Sequence, residues 1–446
     1  MKTIIKHLSL IFLVAIFAAG CSTTGIETTN TDNSGSGNGK TSNPMTTAES
    51  FANATAQQNV FSLGSDYPAD IQIPDITGMR STAFVVIFSP AAVVPIDLDT
   101  HLVSTKFPVF DASTVPEAAF PNHVLILNPT EGILLGGGGL VVFNPSTGGV
   151  LDKLSLTTPI NLTEVLPYSR PGDCDYSGTS ESSVGPGSFS PSFAADLAVV
   201  SNRLFVTMSN ACFDSSFDSF YPKSIVLVFD MHGSAPFFTP ASTSYVSLSG
   251  FNATGITEVG GQLIVTSTGD TKFFNGGSVP ETPSYLDELN PNALQITRTL
   301  NLGLVAANFQ PLAITEDGSK GFIGSSSFSE IYEIDLDNFI LLRDRNNPIV
   351  LFDSGEDYIS DQEIAFGDQI LFASSFNNSA VKAVDLTSTG LDVLPNVLNF
   401  AFEGNPGVTG AGPMALHPGQ PNVDFTGPDL WVLTSSPGTV SSAKTY

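Results

Sequence analysis

The feature that most constrains this chain is a pair of short apolar strands that recurs along it. "RLFVTMSN" is followed by "SIVLVFD", "QLIVTSTGD" by "SYLDELN", "KGFIGSSS" by "EIYEIDLD", and "QILFASSFN" by "AVKAVDL". Each run is closed by turn residues, and the second member often ends in Asp, the pattern of consecutive antiparallel strands in an all-β repeat. Upstream, "STAFVVIFS" with "AVVPIDLD" and "EGILLGGGG" with "LVVFNPSTG" fit the same template, and "DLWVLTSSPG" with "TVSSAKTY" ends the chain. The pairs begin near residues 81, 131, 203, 262, 320, 369 and 429, a period of about 58 residues stretched by insertions. Four-stranded blades set around an axis satisfy such a pattern, because radial repetition leaves only short, protected sheet edges. The expected fold is all-β, a seven-bladed β-propeller over 59–446. The last unit lacks an outer strand, and a segment within 60–75 is expected to supply it, closing the ring.

The strand "RLFVTMSN" and the "IVLVFD" after it resemble the YVTN-type blades of the lactonase-like propeller superfamily. That resemblance implies the fold rather than an activity; a hydrolase or lactonase-like enzyme with a metal or carboxylates at the channel mouth is the alternative reading. The residues themselves offer little conventional chemistry. His101, His123, His232 and His417 are scattered over different units without H-x-H or H-E-x-x-H spacing, and there is no G-x-S-x-G elbow. The "GGGG" at 136–139 joins two apolar strands and reads as a hairpin turn. Asp99, Asp230, Asp335 and Asp385 close third strands, where Asp commonly bonds local backbone amides. Binding is therefore expected over catalysis, with a lactonase-like hydrolase as the alternative.

Residues 1–20 carry Lys2, Lys6 and the apolar run "LSLIFLVAIFAA", too short to span a bilayer and typical of an export signal. "FAAGC" at 17–21 resembles the lipobox of bacterial lipoproteins, which implies cleavage before Cys21 and lipidation of its sulfur. Ser22 follows where an aspartate would imply retention in the inner membrane, so the expectation is an outer-membrane anchor on the periplasmic or surface face. From 21 to 58 the chain is rich in Ser, Thr, Asn and Gly and buries too little to order itself, so it reads as a flexible tether. The formal net charge of −27 opposes nucleic-acid binding.

Insertions cluster. The connection at about 157–195, the loop 210–223 and the loop 269–282 all belong to positions that open on one face of a propeller. Cys174 and Cys212 lie on the first two, and with Cys21 lipidated they form an even pair expected to be a disulfide in an oxidising compartment. The stretch "PGDCDYSGTSE" admits two readings. Asp173, Asp175, Ser177 and Glu181 match the start of a calcium loop, but Val184 stands where that loop needs its last carboxylate, which favours a solvated, disulfide-braced turn that requires no cofactor. Tyr176, Phe213, Asp214, Phe217, Asp218, Asp270, Phe273 and Phe274 are the candidate contact residues on this face, aromatic and acidic groups suited to a protein, glycan or peptide partner.

Overall fold

The computed structural model describes residues 58–63, 67–89, 91–100, 102–107, 121–172, 181–213, 219–274, 277–352, 359–365, 369–376, 380–399, 409–417, 429–436 and 438–444. Among them there is no helix, and all paired strands are antiparallel. In chain order, β1 (Gln58–Ser62) precedes sheet I, which holds β2 (Tyr67–Gln72), β3 (Thr82–Ser89), β4 (Ala92–Asp97) and β5 (Leu102–Val103). Sheet II is β6 (Pro121–Asn128), β7 (Glu131–Gly136), β8 (Gly139–Phe143) and β9 (Val150–Ser155). Two small pairs follow, β10 (Ile160–Leu162) with β13 (Gly187–Phe189) and β11 (Leu166–Gly172) with β12 (Glu181–Val184). Sheet III contains β14 (Ala194–Val200), β15 (Arg203–Met208), β18 (Lys223–Met231) and β19 (Phe238–Phe251), with the hairpin β16 (Cys212–Phe213) and β17 (Ser219–Phe220) inserted between its second and third strands. Sheet IV contains β20 (Ala253–Val259), β21 (Gln262–Ser267), β24 (Ser284–Asn290) and β25 (Gln295–Gly303), with β22 (Thr271–Phe274) and β23 (Gly277–Pro280) inserted at the same place. Sheet V is β26 (Ala313–Ile314), β27 (Lys320–Gly324), β28 (Glu330–Asp335), β29 (Ile340–Arg343) and β30 (Ile349–Val350). Sheet VI is β31 (Ile359–Ala365), β32 (Ile370–Ser375), β33 (Ala380–Asp385) and β34 (Asp392–Asn399). Sheet VII is β35 (Thr409–His417), β36 (Asp429–Ser436) and β37 (Gly438–Lys444), completed by β1.

The strand pairs are apolar without alternation because each sheet is buried on both faces. In β15, Leu204 and Val206 point into a cluster shared with sheet II, while Phe205 points into one shared with sheet IV. In β21, Leu263 and Val265 face sheet III and Ile264 faces sheet V. Such clusters lie between every successive pair of sheets, including VII and I, where Leu433 and Ala415 pack on Val85 and Val94. The molecule is an all-β propeller. β1 closes it by pairing with β37 from Gln58↔Ala443 to Ser62↔Thr439, so the expected union of the chain's two ends occurs, through a strand beginning at residue 58.

Seven four-stranded blades were expected, and the structure corrects that. Six sheets have four strands, and sheet V has five. Its outer strand is interrupted: β29 pairs with the Glu333–Asp335 end of β28 and β30 with Glu330–Ile331, with the turn at 344–348 between them.

The innermost strands are stitched to one another. A register shift occurs near the start of β2, β6, β14, β20, β31 and β35, and such bulges re-aim a side chain. At three of them an aspartate accepts an amide from the next sheet: Val124 N–H donates to Asp70 at 2.9 Å, Ile256 N–H to Asp196 at 2.9 Å, and Met414 N–H to Asp361 at 2.7 Å. Asp196 and Asp361 also accept from the following residue's own amide, at 2.7 and 2.8 Å. In sheet II the equivalent residue is His123. Its Nδ1 lies 3.0 Å from Asp70 and its Nε2 3.4 Å from Asp196, linking sheets I, II and III.

Arginines make a second set of stitches. Arg203 pairs with Asp230 of its own sheet and donates to the Pro291 carbonyl of sheet IV at 3.1 Å. Arg298 pairs with Glu288 and donates to the Asp337 carbonyl of sheet V at 2.7 Å, and Arg343 lies 3.5 Å from Glu333 and reaches the Gly390 carbonyl of sheet VI at 3.0 Å.

Candidate binding face

Connections between second and third strands open on the same side of the ring as connections from one sheet to the next. The three long insertions all occupy those positions, and the structure brings them together. Ser169 on β11 donates its amide to the Tyr221 carbonyl at 2.7 Å, and its Oγ accepts from the Tyr221 amide at 3.1 Å and donates to Asp270 at 2.7 Å. Arg170 donates to the Ser219 carbonyl, lies 3.6 Å from Asp270 and 3.7 Å from Glu281. Two adjacent residues of the first insertion thus hold the second and the third. The third is tied internally, by the Asp270 amide to Thr282 Oγ1 at 2.6 Å and the Glu281 amide to the Asp270 carbonyl at 2.8 Å.

Aromatic packing completes the junction. Tyr168 meets Phe220 edge-on with ring centroids 5.2 Å apart. A Cβ at Gly172 would stand 2.4 Å from the Phe220 ring, so only glycine admits that approach. Burial raises the Asp270 carboxyl, a shift opposed by the Ser169 hydrogen bond and the Arg170 charge. Burial, reinforced by Asp270, pushes the Tyr221 hydroxyl up to about 12.

Of the contact residues expected from sequence, Asp270 is 1% exposed and Phe213 is 9% exposed, its ring against Phe193 at 6.1 Å. Both support the loops from beneath. Phe273 and Phe274 lie on β22, opposite Ser278 and Gly277, and Glu181 lies on β12, opposite Gly172. Tyr176, Asp214, Phe217, Asp218, Asp173, Asp175, Ser177, Cys174 and Cys21 lie outside the described residues. Sequence reasoning placed Tyr221 on this face among its aromatic loop residues and missed Ser169, Arg170 and Glu281. The available signal was Arg170 itself, a lone cation in a long insertion otherwise bearing Glu164, Asp173, Asp175 and Glu181.

Exposed apolar side chains mark the same side. Val165, Val279, Leu304 and Phe309 are 39–55% exposed and lie on insertion-side connections, and Val350, 51% exposed, is the insertion-side end of the outer strand β30. Leu102, Val103, Val150, Leu151, Ile340 and Leu342 lie on outermost strands. None of these belongs to a turn on the opposite side. Around Leu304 the connections are braced by Arg345, which stacks 3.3 Å from the Phe328 ring centroid and lies 3.2 Å from Glu330. The Ser326 amide donates to the Ala306 carbonyl at 2.7 Å and the Leu351 amide to the Ser329 carbonyl at 2.9 Å, tying the loops that carry Leu304, Phe309 and Val350.

At the inner strands, burial opposes a charge on His123, yet Asp70 and Asp196 outweigh it and raise the imidazole to about 9. Burial and the Asp70 charge push Glu363 up to about 7. Among the described residues no three His, Cys, Asp or Glu side chains converge in an arrangement that could hold a metal ion. Asp335 and Asp385 do bond local amides, accepting from Asn338 and Thr387 at 2.8 Å each, whereas Asp230 accepts from the Arg203 side chain at 3.1 Å instead. In sheet I the acceptor is Asp97, bonded by Thr100 at 2.7 Å, instead of the expected Asp99, because β4 ends two residues earlier.

No protein-family model matches this sequence, and no curated protein matches it. Solved structures do. The β-propeller domain of Myceliophteria thermophila Cps50 (Swd1) is similar over 86% of this chain and 99% of its own, at 10% identity and a TM-score of 0.53. Kuenenia stuttgartiensis hydrazine synthase is similar over 84% and 94%, at 12% identity and a TM-score of 0.51. Likeness at such identities carries the propeller fold and nothing finer.

Proposed function

We propose that this chain is a lipid-anchored propeller of the bacterial cell envelope, outer membrane by preference, whose insertion face binds a protein, glycan or peptide. One observation carries the reading: among the described residues, the large exposed apolar side chains outside the outermost strands, Val165, Val279, Leu304 and Phe309, lie on the side where the insertions are clipped together. Apolar groups on loops fixed to a packed scaffold are what a recognition surface needs, because little ordering entropy is lost on binding. The anchor belongs to the reading through the "FAAGC" stretch and the tether that follows it.

The reading includes a Cys174–Cys212 bridge across the first two insertions. It is supported by a sequence in which Cys174 and Cys212 lie on those two insertions while the other cysteine, Cys21, stands in the lipobox-like stretch.

The test is a charge placed on each surface. Val279→Asp with Leu304→Asp is expected to abolish the native complex that the wild-type chain forms in envelope extracts, while Ile340→Asp with Leu342→Asp preserves it. A complex that survives the first pair and is lost with the second would overturn the assignment of the face.

A further inference from the structure

Four of the apolar side chains exposed on outermost strands fall on two consecutive sheets. Leu102 and Val103 on β5 are 65% and 41% exposed, and Val150 and Leu151 on β9 are 42% and 41% exposed. The two strands form one flank. Phe107, just beyond β5, bridges to Val93 in sheet I, and its ring lies so near Gly148 of sheet II that a Cβ there would stand 2.6 Å away. Lys153 is exposed on β9, in a chain whose net charge is −27. The next outermost strand around the ring is β1, because sheet VII packs directly on sheet I. Residues 1–57, with the apolar run and Cys21, therefore join the body beside this flank.

We propose that the flank formed by β5 and β9 rests on the lipid surface to which the chain is anchored, with Leu102, Val103, Val150 and Leu151 in the headgroup region and Lys153 at lipid phosphates. The proposal rests on the lipid-anchored reading given above. Apolar tips beside a lysine stem suit the interface between headgroups and acyl chains. So small a contact would not hold a free protein, but an anchored body meets the surface at a high effective concentration. The strand β29 supplies a contrast: Ile340 and Leu342 are comparably exposed, yet they lie on sheet V, on the other side of β1 from β5 and β9, and Arg343 beside them is turned toward Glu333 and the Gly390 carbonyl. Resting on a flank stands the ring on its rim and leaves the insertion face open to a partner.

The experiment uses the full lipidated chain in vesicles of phosphatidylethanolamine and phosphatidylglycerol. Dansylalanine replaces Leu102, Leu151 or Leu342, one at a time, and flotation is read together with quenching by lipids brominated on their acyl chains. All three proteins are expected to float, with the probes at 102 and 151 blue-shifted and quenched and the probe at 342 unaffected. Lys153→Glu, on an exposed position outside the core, is expected to cut the quenching at 151 about twofold. Flotation with probes at 102 and 151 as unquenched as the probe at 342 overturns the flank while leaving the anchor standing. Failure to float overturns both.

Discussion

His123 Nδ1 lies 3.0 Å from Asp70, and its other ring nitrogen faces Asp196, so one imidazole is held between carboxylates of the two flanking sheets. Both nitrogens then act as donors, which requires the imidazolium. Its folded value of about 9 stands above the ordinary 6.5, so its contribution is complete below about pH 6.5 and is lost as pH rises through about 9. Glu363, raised to about 7, acts in the same direction at lower pH. Burial also pushes the Asp196 carboxyl up, which offsets part of the gain. The melting temperature is expected to fall from pH 6 to pH 9, and His123→Gln to flatten that slope at a cost on the order of 3 kcal/mol near pH 6. A variant with the wild-type slope would remove His123 from the account.

Arg170→Ala leaves the Asp270 carboxyl buried without its cation. A loss of about 2–4 kcal/mol is expected, with faster amide exchange in β16, β17, β22 and β23. Adding Asp270→Asn should recover part of the loss, and a double-mutant cycle in thermal melts reads that coupling. Strict additivity would mean that the two residues do not act together.

Gly172→Ala forces a Cβ into the Phe220 ring. The expected cost is about 1–3 kcal/mol, from overpacking, and Phe220→Leu should relieve much of it. Calorimetry of the two single variants and the double variant decides the point.

Arg298 combines a pair with Glu288, donation to two carbonyls of sheet V and a place 4.7 Å from the Phe339 ring centroid. Lysine keeps the charge and loses the fork, so Arg298→Lys is expected to cost about 1–2 kcal/mol in denaturant titration.

The hairpin tip at 173–180 is expected to behave as a braced turn. Reduction, or Cys174→Ser with Cys212→Ser, should destabilise the chain by about 2–4 kcal/mol. Added calcium should leave the melting temperature unchanged in wild type and in Asp173→Ala alike; a calcium-dependent rise lost in Asp173→Ala would establish the cation loop instead.

The propeller was legible because its signal is local. Runs such as Leu204-Phe205-Val206 are continuous, since neighbouring sheets bury both faces, and that composition shows in any short window. The meeting of the insertions was legible too, because topology alone decides which connections share a side. The stitches were not. Asp70, Asp196 and Asp361 bond amides 54, 60 and 53 residues away, and Ser169 meets Asp270 across 101 residues, separations that leave no periodic trace. In retrospect "ADI", "NHV", "ADL" and "SDQ" share a polar residue at the start of the inner strand, a pattern that acquires meaning once the bulges are seen. Phe213 and Asp270 show the converse, since an aromatic or acid in a long loop gives no sign of whether it faces outward or underpins its own loop.

The central claim is that recognition occurs on the insertion side of the ring, and site-specific photocrosslinking in living cells tests it most directly. A benzophenone side chain at Val279, Leu304 or Val350 is expected to yield discrete adducts of one partner, while the same group at Asp317 or Asn292, in turns on the opposite side, yields none. Adducts confined to the opposite-side positions would contradict it.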